Sequence, residues 1–162
     1  MTPVTVSPAT PDDVQAMAAL LEEMDRFYGA TGTEPTGERE RQIREALFAS
    51  PPAAYALLAF DGDQLVGMAA YSFLWPAVRL TRSLYLKELY VAERGQRHGI
   101  GRALMAALVE VASKHGCSRV EWTTDHDNSG ALAFYAALGA PADPSKIFYR
   151  IEDTGTGLHP PT

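Results

Sequence analysis

The chain has 162 residues, of which 46% are hydrophobic and 21% charged, and its formal net charge is −6. These values fit one folded domain and exclude an intrinsically disordered chain. The negative charge disfavours binding to nucleic acid, and no stretch reaches the roughly 20 apolar residues of a membrane span. With one cysteine, Cys117, and no signal-peptide pattern, we expect a soluble, cytoplasmic protein without a nucleic-acid or membrane partner.

The first third of the chain predicts a short strand and two helices. Residues 4–6 read as the strand, and the segment Thr10-Pro11-Asp12-Asp13 combines an N-cap, a first-turn proline and a capping-box carboxylate. Apolar residues then keep helical spacing until Gly29. A polar stretch over residues 31–38 precedes a second helical pattern, which we expect at residues 43–48 because Pro51 and Pro52 follow.

The remainder predicts further strands alternating with helices. Residues 55–60 and 65–73 form a hairpin signal because Gly62, between them, tolerates a positive φ. We then expect a strand at 84–91, a helix at 101–115, a strand at 119–124, a helix at 129–138 and a strand at 148–151. The order of these strands and helices along the chain predicts a mixed α/β (α+β) fold in a single domain over residues 1–153, with a flexible tail at 154–162.

A glycine-rich turn leads from the predicted strand at 84–91 into the next helix. Gly99 and Gly101 lack the Cβ atoms that would keep an anion away from the backbone amides. The first turn of a helix leaves its amides unpaired and carries a partial positive charge. Further positive charge or donors come from Arg94, Arg97, His98 and Arg102. The turn indicates either a phosphate site or an ordinary connection with a solvated basic face.

Two familiar nucleotide-binding motifs fit this turn poorly. A Walker-type loop ends in Gly-Lys-Ser/Thr, whereas Gly101 is followed here by Arg102, which disfavours NTP hydrolysis. A dinucleotide fingerprint needs a third glycine where this chain has Leu104, although Glu121 lies at a suitable spacing for a ribose. We therefore favour neither motif.

The sequence also disfavours a metal site. Residues 125–130 imitate the start of a calcium loop, but its twelfth position is Ala136 instead of a bidentate glutamate. The four histidines show no paired ligand spacing, and none is placed by sequence to activate Cys117 as a nucleophile. We expect no metal cofactor.

Two separated motifs resemble those of the GCN5-related N-acetyltransferase (GNAT) superfamily. The first is Gln96-Arg97-His98-Gly99-Ile100-Gly101, which is similar to that superfamily's Q/R-x-x-G-x-G/A loop. The second covers residues 128–139 and is similar to its later pattern of an Asn, an Ala, Phe-Tyr and Leu-Gly. The resemblance implies a GNAT-like fold with a central, mostly antiparallel mixed sheet of six to seven strands and about four helices.

The same resemblance implies direct transfer of an acetyl group from acetyl-CoA to an amine. The pyrophosphate is then expected on the loop, where the contacting residues are Gln96, Arg97, His98, Gly99, Ile100, Gly101 and Arg102. The pantetheine arm is expected to add like a strand to Leu89, Tyr90 and Val91, in a splay between the strands at 84–91 and 119–124. A backbone N–H near Tyr90 or Val91 then polarises the thioester carbonyl. Asn128, with Ala131 beside it in the motif, is expected to bind the arm from the other side.

Two side chains are candidates for proton transfer. The family pattern supplies Tyr135 as the acid that protonates the leaving sulfur, although a tyrosine in an apolar helix also packs well. Glu88 lies in a predicted strand, where alternation places it on the face of Leu86 and Tyr90. Burial there raises the pKa of a carboxylate, so Glu88 is a base, a contact for a cationic substrate or a structural ion-pair partner.

The acceptor is expected to be a small-molecule primary amine, and the acidic composition favours a cationic one. Tyr28 is placed either in the acceptor pocket or at the edge of the core, and Trp75 in the pocket wall or a subunit contact. A homodimer is plausible through the late strands or the Trp75 loop. Two alternatives remain: a protein lysine or N-terminal acetyltransferase, and a non-catalytic acyl-CoA-binding regulatory module.

Overall fold

The chain begins with a strand and a capped helix. The computed structural model describes residues 3–32, 34–158 and 161. Strand β1 (Val4–Pro8) and one 3-10 turn (Pro11–Asp13) lead into α1 (Val14–Phe27). The carboxylate of Asp13 accepts the backbone N–H of Thr10 at 2.8 Å, which confirms the predicted capping box.

Helix α2 (Thr36–Phe48) begins earlier than the sequence predicts. Its first two turns are polar and carry no apolar period, so the prediction began only at residue 43. The exposed side of these turns is instead linked by ion pairs of Arg41 with Glu38 and Glu45, at the three- and four-residue spacings that suit a helix.

Five strands form one sheet in the order β1-β2-β3-β4-β5. The remaining strands are β2 (Tyr55–Asp61), β3 (Gln64–Leu74), β4 (Arg82–Val91) and β5 (Cys117–Glu121). Neighbours from β1 to β4 are antiparallel, and β5 is parallel to β4. Helices α3 (Ile100–Lys114) and α4 (Ser129–Ala137) complete the four α-helices of the described residues. The mixed, mostly antiparallel sheet confirms the predicted fold class.

The number of strands differs from the prediction. Among the described residues the sheet has five strands instead of six to seven, and residues 148–151 are in no strand. Their alternation of apolar side chains favours extended backbone, but a strand also needs a partner for its backbone groups. The predicted strand at 148–151 is therefore wrong for this structure.

Helices cover both faces of the sheet. Met17 and Leu20 of α1 and Ile43 of α2 belong to the core cluster that includes Met68 and Tyr90. On the other face, Ile100 and Leu104 of α3 lie against Gly67, where a Cβ atom would meet the Ile100 side chain at 2.9 Å. The glycine allows the first turn of α3 to approach β3 closely.

The chain divides into two compact units, residues 1–123 and 124–162. The sheet and α1 to α3 lie in the first unit, and α4 lies in the second. Gly116 and Gly139 follow α3 and α4 with φ of +69° and +79°, as the sequence predicts for helix-ending glycines. In the predicted tail, Thr154–Thr156 form a 3-10 turn, while residues 159, 160 and 162 lie outside the described residues. Within the described ranges no helix combines the length and apolar character needed to cross a bilayer.

Candidate active site

One edge of β4 is open beyond its first half. Strand β5 pairs with β4 only over Arg82–Tyr85, whereas β3 pairs with β4 as far as Val91. Residues 86–91 therefore carry a second edge on which, among the described residues, no strand lies. Such an edge presents unpaired backbone donors and acceptors to an extended ligand.

The backbone alternation of β4 identifies which residues face this open edge. The N–H of Ala92 donates to the carbonyl of Val66 in β3 at 2.8 Å. Because successive residues of a strand point their backbone groups to opposite sides, Tyr90 also faces β3, and Leu89 and Val91 face the open edge. The Gln96 side chain approaches the Val91 carbonyl at 3.5 Å from that side. Of the two amides predicted to polarise a carbonyl, the geometry therefore favours Val91 over Tyr90.

A bulge in β4 changes the face on which Glu88 lies. Ala70 is paired with Glu88, but the next residue, Tyr71, is paired with Leu86, so Lys87 is an extra residue in β4. Directly opposite residues share a face, and Ala70 packs against the core cluster under α1 and α2. Glu88 is consequently on the same face as Tyr90, as predicted, but on the opposite face from Leu86. The prediction that Leu86 shares this face is wrong because simple alternation does not hold across a bulge.

Glu88 is half-buried, and burial raises the pKa of its carboxyl. The positive charge of Lys87 lowers this pKa, and the negative charge of Asp25 in α1 raises it. Because the net shift is upward, the carboxylate holds a proton more tightly than an exposed glutamate does. This property suits a group that accepts a proton near neutral pH.

Tyr90 and Arg94 share the carboxylate of Glu23 in α1. The Tyr90 hydroxyl donates to Glu23 at 3.2 Å, and Arg94 donates to its other oxygen at 2.9 Å. Burial, followed by the charge of Glu23, raises the pKa of Tyr90 to about 12. Arg94 also donates to the Leu65 carbonyl, so its guanidinium links α1 to β3. The guanidinium of Arg94 is thus directed toward α1 and β3, and its predicted contribution of charge to the phosphate turn stays a prediction.

The glycine-rich turn is held in an unusual backbone conformation. A 3-10 turn, Glu93–Gly95, follows β4, and residues 97 and 99 then take positive φ values of +65° and +75°. Gly99 is the N-cap of α3, and a Cβ atom there would meet nothing within 4 Å. Within the described part of the chain, the backbone amides of residues 97–101 donate no close, well-aligned hydrogen bond to a backbone carbonyl, although residues 96–99 form a turn. The turn therefore presents backbone donors at the positive end of a helix, as predicted.

Close packing on Ile100 holds this turn in place. Ile100 is fully buried, and a Cβ atom on Gly95 would approach its side chain to 2.7 Å. Gly67 of β3 contacts the same side chain from the sheet. Ile100, which was predicted only as a loop residue of the phosphate site, therefore acts as the core anchor of that loop.

The second motif forms a capped helix in the other unit. The side-chain oxygen of Asn128 accepts the backbone N–H of Ala131 at 3.1 Å and caps α4. Tyr135 lies in the last turns of α4 with its ring 5.1 Å from that of Phe134. The Asn128 oxygen thus has a local structural role that the sequence analysis did not assign. The predicted roles of Asn128, Ala131 and Tyr135 toward a ligand stay predictions.

An exposed aromatic pair follows at the end of α1. The rings of Phe27 and Tyr28 pack edge to face at 5.3 Å, and both side chains are mostly exposed. Phe27 also lies 6.4 Å from the ring of Tyr90, which places the pair near the face of β4 that carries Glu88. Tyr28 is therefore outside the buried core, and its predicted place in the acceptor pocket stays a prediction. Trp75 is exposed and donates to the Leu80 carbonyl at 2.8 Å, a contact within its own loop.

Several site residues had no signal in the sequence analysis. Glu23 and Asp25 are ordinary helix-surface residues by pattern and gain their relation to β4 only through packing. The side chain of Arg39 is 10% exposed and forms two ion pairs, with Asp25 at 2.9 Å and with Glu34 at 2.6 Å. These ion pairs span the segment that links α1 and α2. A small cavity of about 180 Å³ between these helices is lined by Gln15, Ala18, Ala19, Glu22, Glu34, Thr36 and Arg39. None of these lies in β4 or the turn, so this cavity is not assigned to the candidate site.

Comparison with known proteins gives matches to one family. The model of the Acetyltransferase (GNAT) family matches residues 17–140. The chain is 26% identical over 127 residues to a thialysine N-epsilon-acetyltransferase of Caenorhabditis elegans, covering 78% of this chain and 76% of the relative. It is 30% identical over 126 residues to an aminoglycoside N(6')-acetyltransferase type 1 of Serratia marcescens, and the match covers 74% of this chain and 86% of that relative.

A solved structure is similar over nearly the whole chain. An integron cassette protein from V. cholerae superposes with a TM-score of 0.86 at 26% sequence identity, and the match covers 94% of each chain.

Proposed function

Because the chain belongs to the acetyltransferase (GNAT) family and is therefore an acyltransferase, we propose that it transfers an acetyl group from acetyl-CoA to a small cationic amine. The observation that carries this proposal is the continuity of the open β4 edge with the glycine-rich turn in one unit. An extended, amide-containing arm that ends in a diphosphate needs such a pair of neighbouring features.

The two features suit different parts of acetyl-CoA. Leu89 and Val91 offer backbone N–H and C=O groups to the amides of the pantetheine arm. The turn from Gln96 to Gly101, with Arg97, His98 and Arg102 beside it, offers amides and positive charge to the diphosphate. The Val91 N–H is then the donor that stabilises the oxyanion as the amine attacks the thioester carbonyl.

The charges around Glu88 support a cationic acceptor. Glu88, Asp25 and Glu23 bring negative charge to the face of β4 that the exposed Phe27–Tyr28 pair adjoins. Arg39 and Arg94 neutralise Asp25 and Glu23 in part, which leaves Glu88 as the group best suited to take a proton from an ammonium ion. Two relatives are named for acetylation of thialysine and of aminoglycosides, both of which carry amines.

Tyr135 is proposed as the acid that protonates the departing CoA sulfur. Its support is the motif from Asn128 to Gly139, together with its position on a well-capped helix. An ammonium acceptor loses two protons on the way to an amide. Glu88 takes the first and passes it to solvent, and the second, lost from the nitrogen after attack, replaces the proton that Tyr135 gives to the sulfur, so one turnover yields an amide, a neutral thiol and one proton.

The proposal is tested by following release of free thiol from acetyl-CoA with a panel of acceptors. The panel contains polyamines, aminoglycosides, basic amino acids including thialysine, and peptides with lysine or a free amino terminus. We expect saturable turnover with at least one small cationic amine and slower turnover with neutral amines of similar size. Turnover confined to the peptides would contradict the proposed acceptor, and turnover only with a longer acyl-CoA would contradict the proposed donor.

A binding module is distinguished in the same assay. Such a protein would bind acetyl-CoA in calorimetry and release no thiol with any acceptor. We expect both binding and turnover, because the family and its named relatives are acetyltransferases.

A further inference from the structure

Glu23 in α1 accepts hydrogen bonds from two residues of the candidate site. The hydroxyl of Tyr90 donates to one carboxylate oxygen at 3.2 Å, and the guanidinium of Arg94 donates to the other at 2.9 Å. Tyr90 lies in β4 between Leu89 and Val91, whereas Arg94 lies in the 3-10 turn that leads into the glycine-rich turn. One carboxylate of α1 thus contacts both parts of the site proposed for acetyl-CoA.

Arg94 has a second partner in the sheet. Its other terminal nitrogen donates to the backbone carbonyl of Leu65 in β3 at 2.6 Å. Two acceptors on different elements fix the orientation of a planar guanidinium as well as its position. The neighbouring Gly95 lies close to the sheet, since a Cβ atom on it would be 3.1 Å from the Cβ atom of Val66. The start of the glycine-rich turn is therefore held by α1 and β3 together.

Tyr90 is a fixed hydrogen-bond donor in this arrangement. The residue is 5% exposed, and burial, followed by the charge of Glu23, raises the pKa of its hydroxyl to about 12. The hydroxyl therefore keeps its proton over the physiological pH range. The backbone carbonyl of Tyr90 lies against Gly67 of β3, where a Cβ atom would approach it to 3.3 Å. The side chain on α1 and the backbone on β3 hold this part of the open β4 edge in place.

The same helix carries residues of the acceptor side of the site. Phe27, about one turn after Glu23, has its ring 6.4 Å from the ring of Tyr90. Burial and the negative charge of Asp25 raise the pKa of Glu88, the proposed proton acceptor. A shift of β4 relative to α1 would therefore change the separation between the thioester carbonyl and the attacking amine. A misplacement of about 1 Å between reacting groups can lower a rate by roughly 100-fold.

We propose that Glu23 is a positioning residue for acyl transfer: through Tyr90 it fixes the open β4 edge, and through Arg94 it fixes the glycine-rich turn, relative to the helix of the acceptor side. The proposal rests on the proposed function, because it concerns how acetyl-CoA binds and reacts. All the contacts that carry it lie within residues 1–123, the first unit. The contact with Tyr90 bears on the reaction step, and the contact with Arg94 bears on the affinity for acetyl-CoA.

Glu23→Ala separates positioning from a simple effect of charge. Loss of a negative charge beside a diphosphate site, which also frees Arg94, should by itself strengthen binding of the anion. We expect the opposite sign: acetyl-CoA affinity in calorimetry should fall about three- to tenfold, because the released turn must be ordered on binding. In the thiol-release assay kcat should fall about tenfold, because the open β4 edge is no longer aligned with α1. Alanine favours a helix, so α1 itself is preserved.

Glu22→Ala is the matched control. It removes the same charge from the neighbouring position of α1 and breaks an ion pair of 2.8 Å with Arg26 of the same helix. Both acetyl-CoA affinity and kcat should stay within about twofold of the wild type. The binding stoichiometry in calorimetry reports the fraction of folded protein in each variant. Loss of folded protein would lower the stoichiometry and kcat together and leave the affinity unchanged.

Replacing the two partners separates their contributions. Tyr90→Phe keeps the ring and removes the hydroxyl, so kcat should fall about three- to tenfold with acetyl-CoA affinity unchanged. Arg94→Lys keeps the positive charge beside the turn but lacks the planar fork that reaches both Glu23 and Leu65. It should weaken acetyl-CoA binding about threefold. In a Glu23→Ala background either replacement should have little further effect, because its partner is already absent.

Other results would decide against the positioning role. Tighter binding of acetyl-CoA by Glu23→Ala would show that the carboxylate only competes with the diphosphate for Arg94. Additive losses in the double variants would show that the three residues act separately, and equal losses in Glu22→Ala would indicate a general effect of charge on α1. A wild-type chain that releases no thiol with any acceptor would overturn the proposed function and the role of Glu23 together. Wild-type turnover that Glu23→Ala leaves unchanged would overturn the role of Glu23 alone.

Discussion

Glu88 illustrates how one inserted residue changes the setting of a side chain. Strict alternation along β4 groups it with Leu86, but the bulge at Lys87 separates the two onto opposite faces. Glu88 thereby joins Tyr90 beneath α1, near Asp25 and the exposed aromatic pair. The residue type and its strand could be predicted from sequence, whereas the bulge depends on how β3 and β4 pair.

Replacing Glu88 by Gln should reduce kcat/KM for a cationic amine by roughly 100-fold, because the proton acceptor is lost. In the wild type, kcat/KM should rise with pH as Glu88 ionises, and this rise should lie above the ordinary range of glutamate because its pKa is raised. The measurement is a pH profile of thiol release. Glu110→Gln, on the exposed surface of α3, is the matched control.

The raised pKa of Glu88 also predicts how replacing this residue by Gln changes the stability of the folded protein. The folded state holds the Glu88 proton more tightly than the unfolded chain, so its contribution to stability is present at low pH and lost as pH rises through the folded pKa. The amide of a glutamine is neutral at every pH, so E88Q should be no less stable than the wild type near pH 8. An unchanged pH profile together with unchanged activity would return Glu88 to a structural role.

Tyr135→Phe should lower kcat by roughly 100-fold or more while acetyl-CoA affinity stays within about twofold of the wild type. The reason is that the hydroxyl protonates the sulfur only as the bond breaks. The lowered kcat is checked by the rate of thiol release, and the nearly unchanged affinity for acetyl-CoA is checked by calorimetry. Tyr55→Phe, in β2, is the control for loss of an unrelated hydroxyl; an unaltered rate in Tyr135→Phe would leave packing as its role.

At the scale of elements, the turn before α3 combines properties that the sequence predicts with one that it does not. The glycines and the helix start follow from residue types and spacing. The close approach of Ile100 to Gly67 and Gly95 depends on β3 lying beneath the helix. The direction of the Arg94 side chain also depends on packing. The sequence places its charge beside the turn, whereas in the fold its guanidinium donates to Glu23 of α1.

Gly99→Val should weaken acetyl-CoA binding at least tenfold, because a branched side chain would stand over the amides of the turn. Gly116→Val is a matched control at the other end of α3, since both glycines have positive φ and a Cβ atom on either would meet nothing within 4 Å. Both variants should lose stability by about 1–2 kcal/mol. The affinity of each variant for acetyl-CoA is measured by calorimetry. If both variants bind acetyl-CoA as tightly as the wild type, the proposed phosphate site is refuted.

At the scale of the whole molecule, the chain is predicted to unfold as one domain over residues 1–153. Thermal unfolding should then show a single transition by circular dichroism and calorimetry, with equal calorimetric and van 't Hoff enthalpies. Saturating acetyl-CoA should raise the midpoint in one step, because a ligand that binds only the native state stabilises all of it. Two resolved transitions would show that residues 1–123 and 124–162 fold independently.

The sequence by itself determined the fold class, the capping box before α1, the helix-ending glycines, the hairpin, the glycine-rich turn and the family resemblance. Each of these rests on local spacing: apolar periods, caps, glycines where φ must be positive, and short motifs. Only the tertiary structure decided the direction of the β4 amides, the face of Glu88, the partners of Arg94 and the absence of a strand at 148–151 among the described residues. Those features depend on which strands pair and in what register, and pairing joins residues that are distant in the chain.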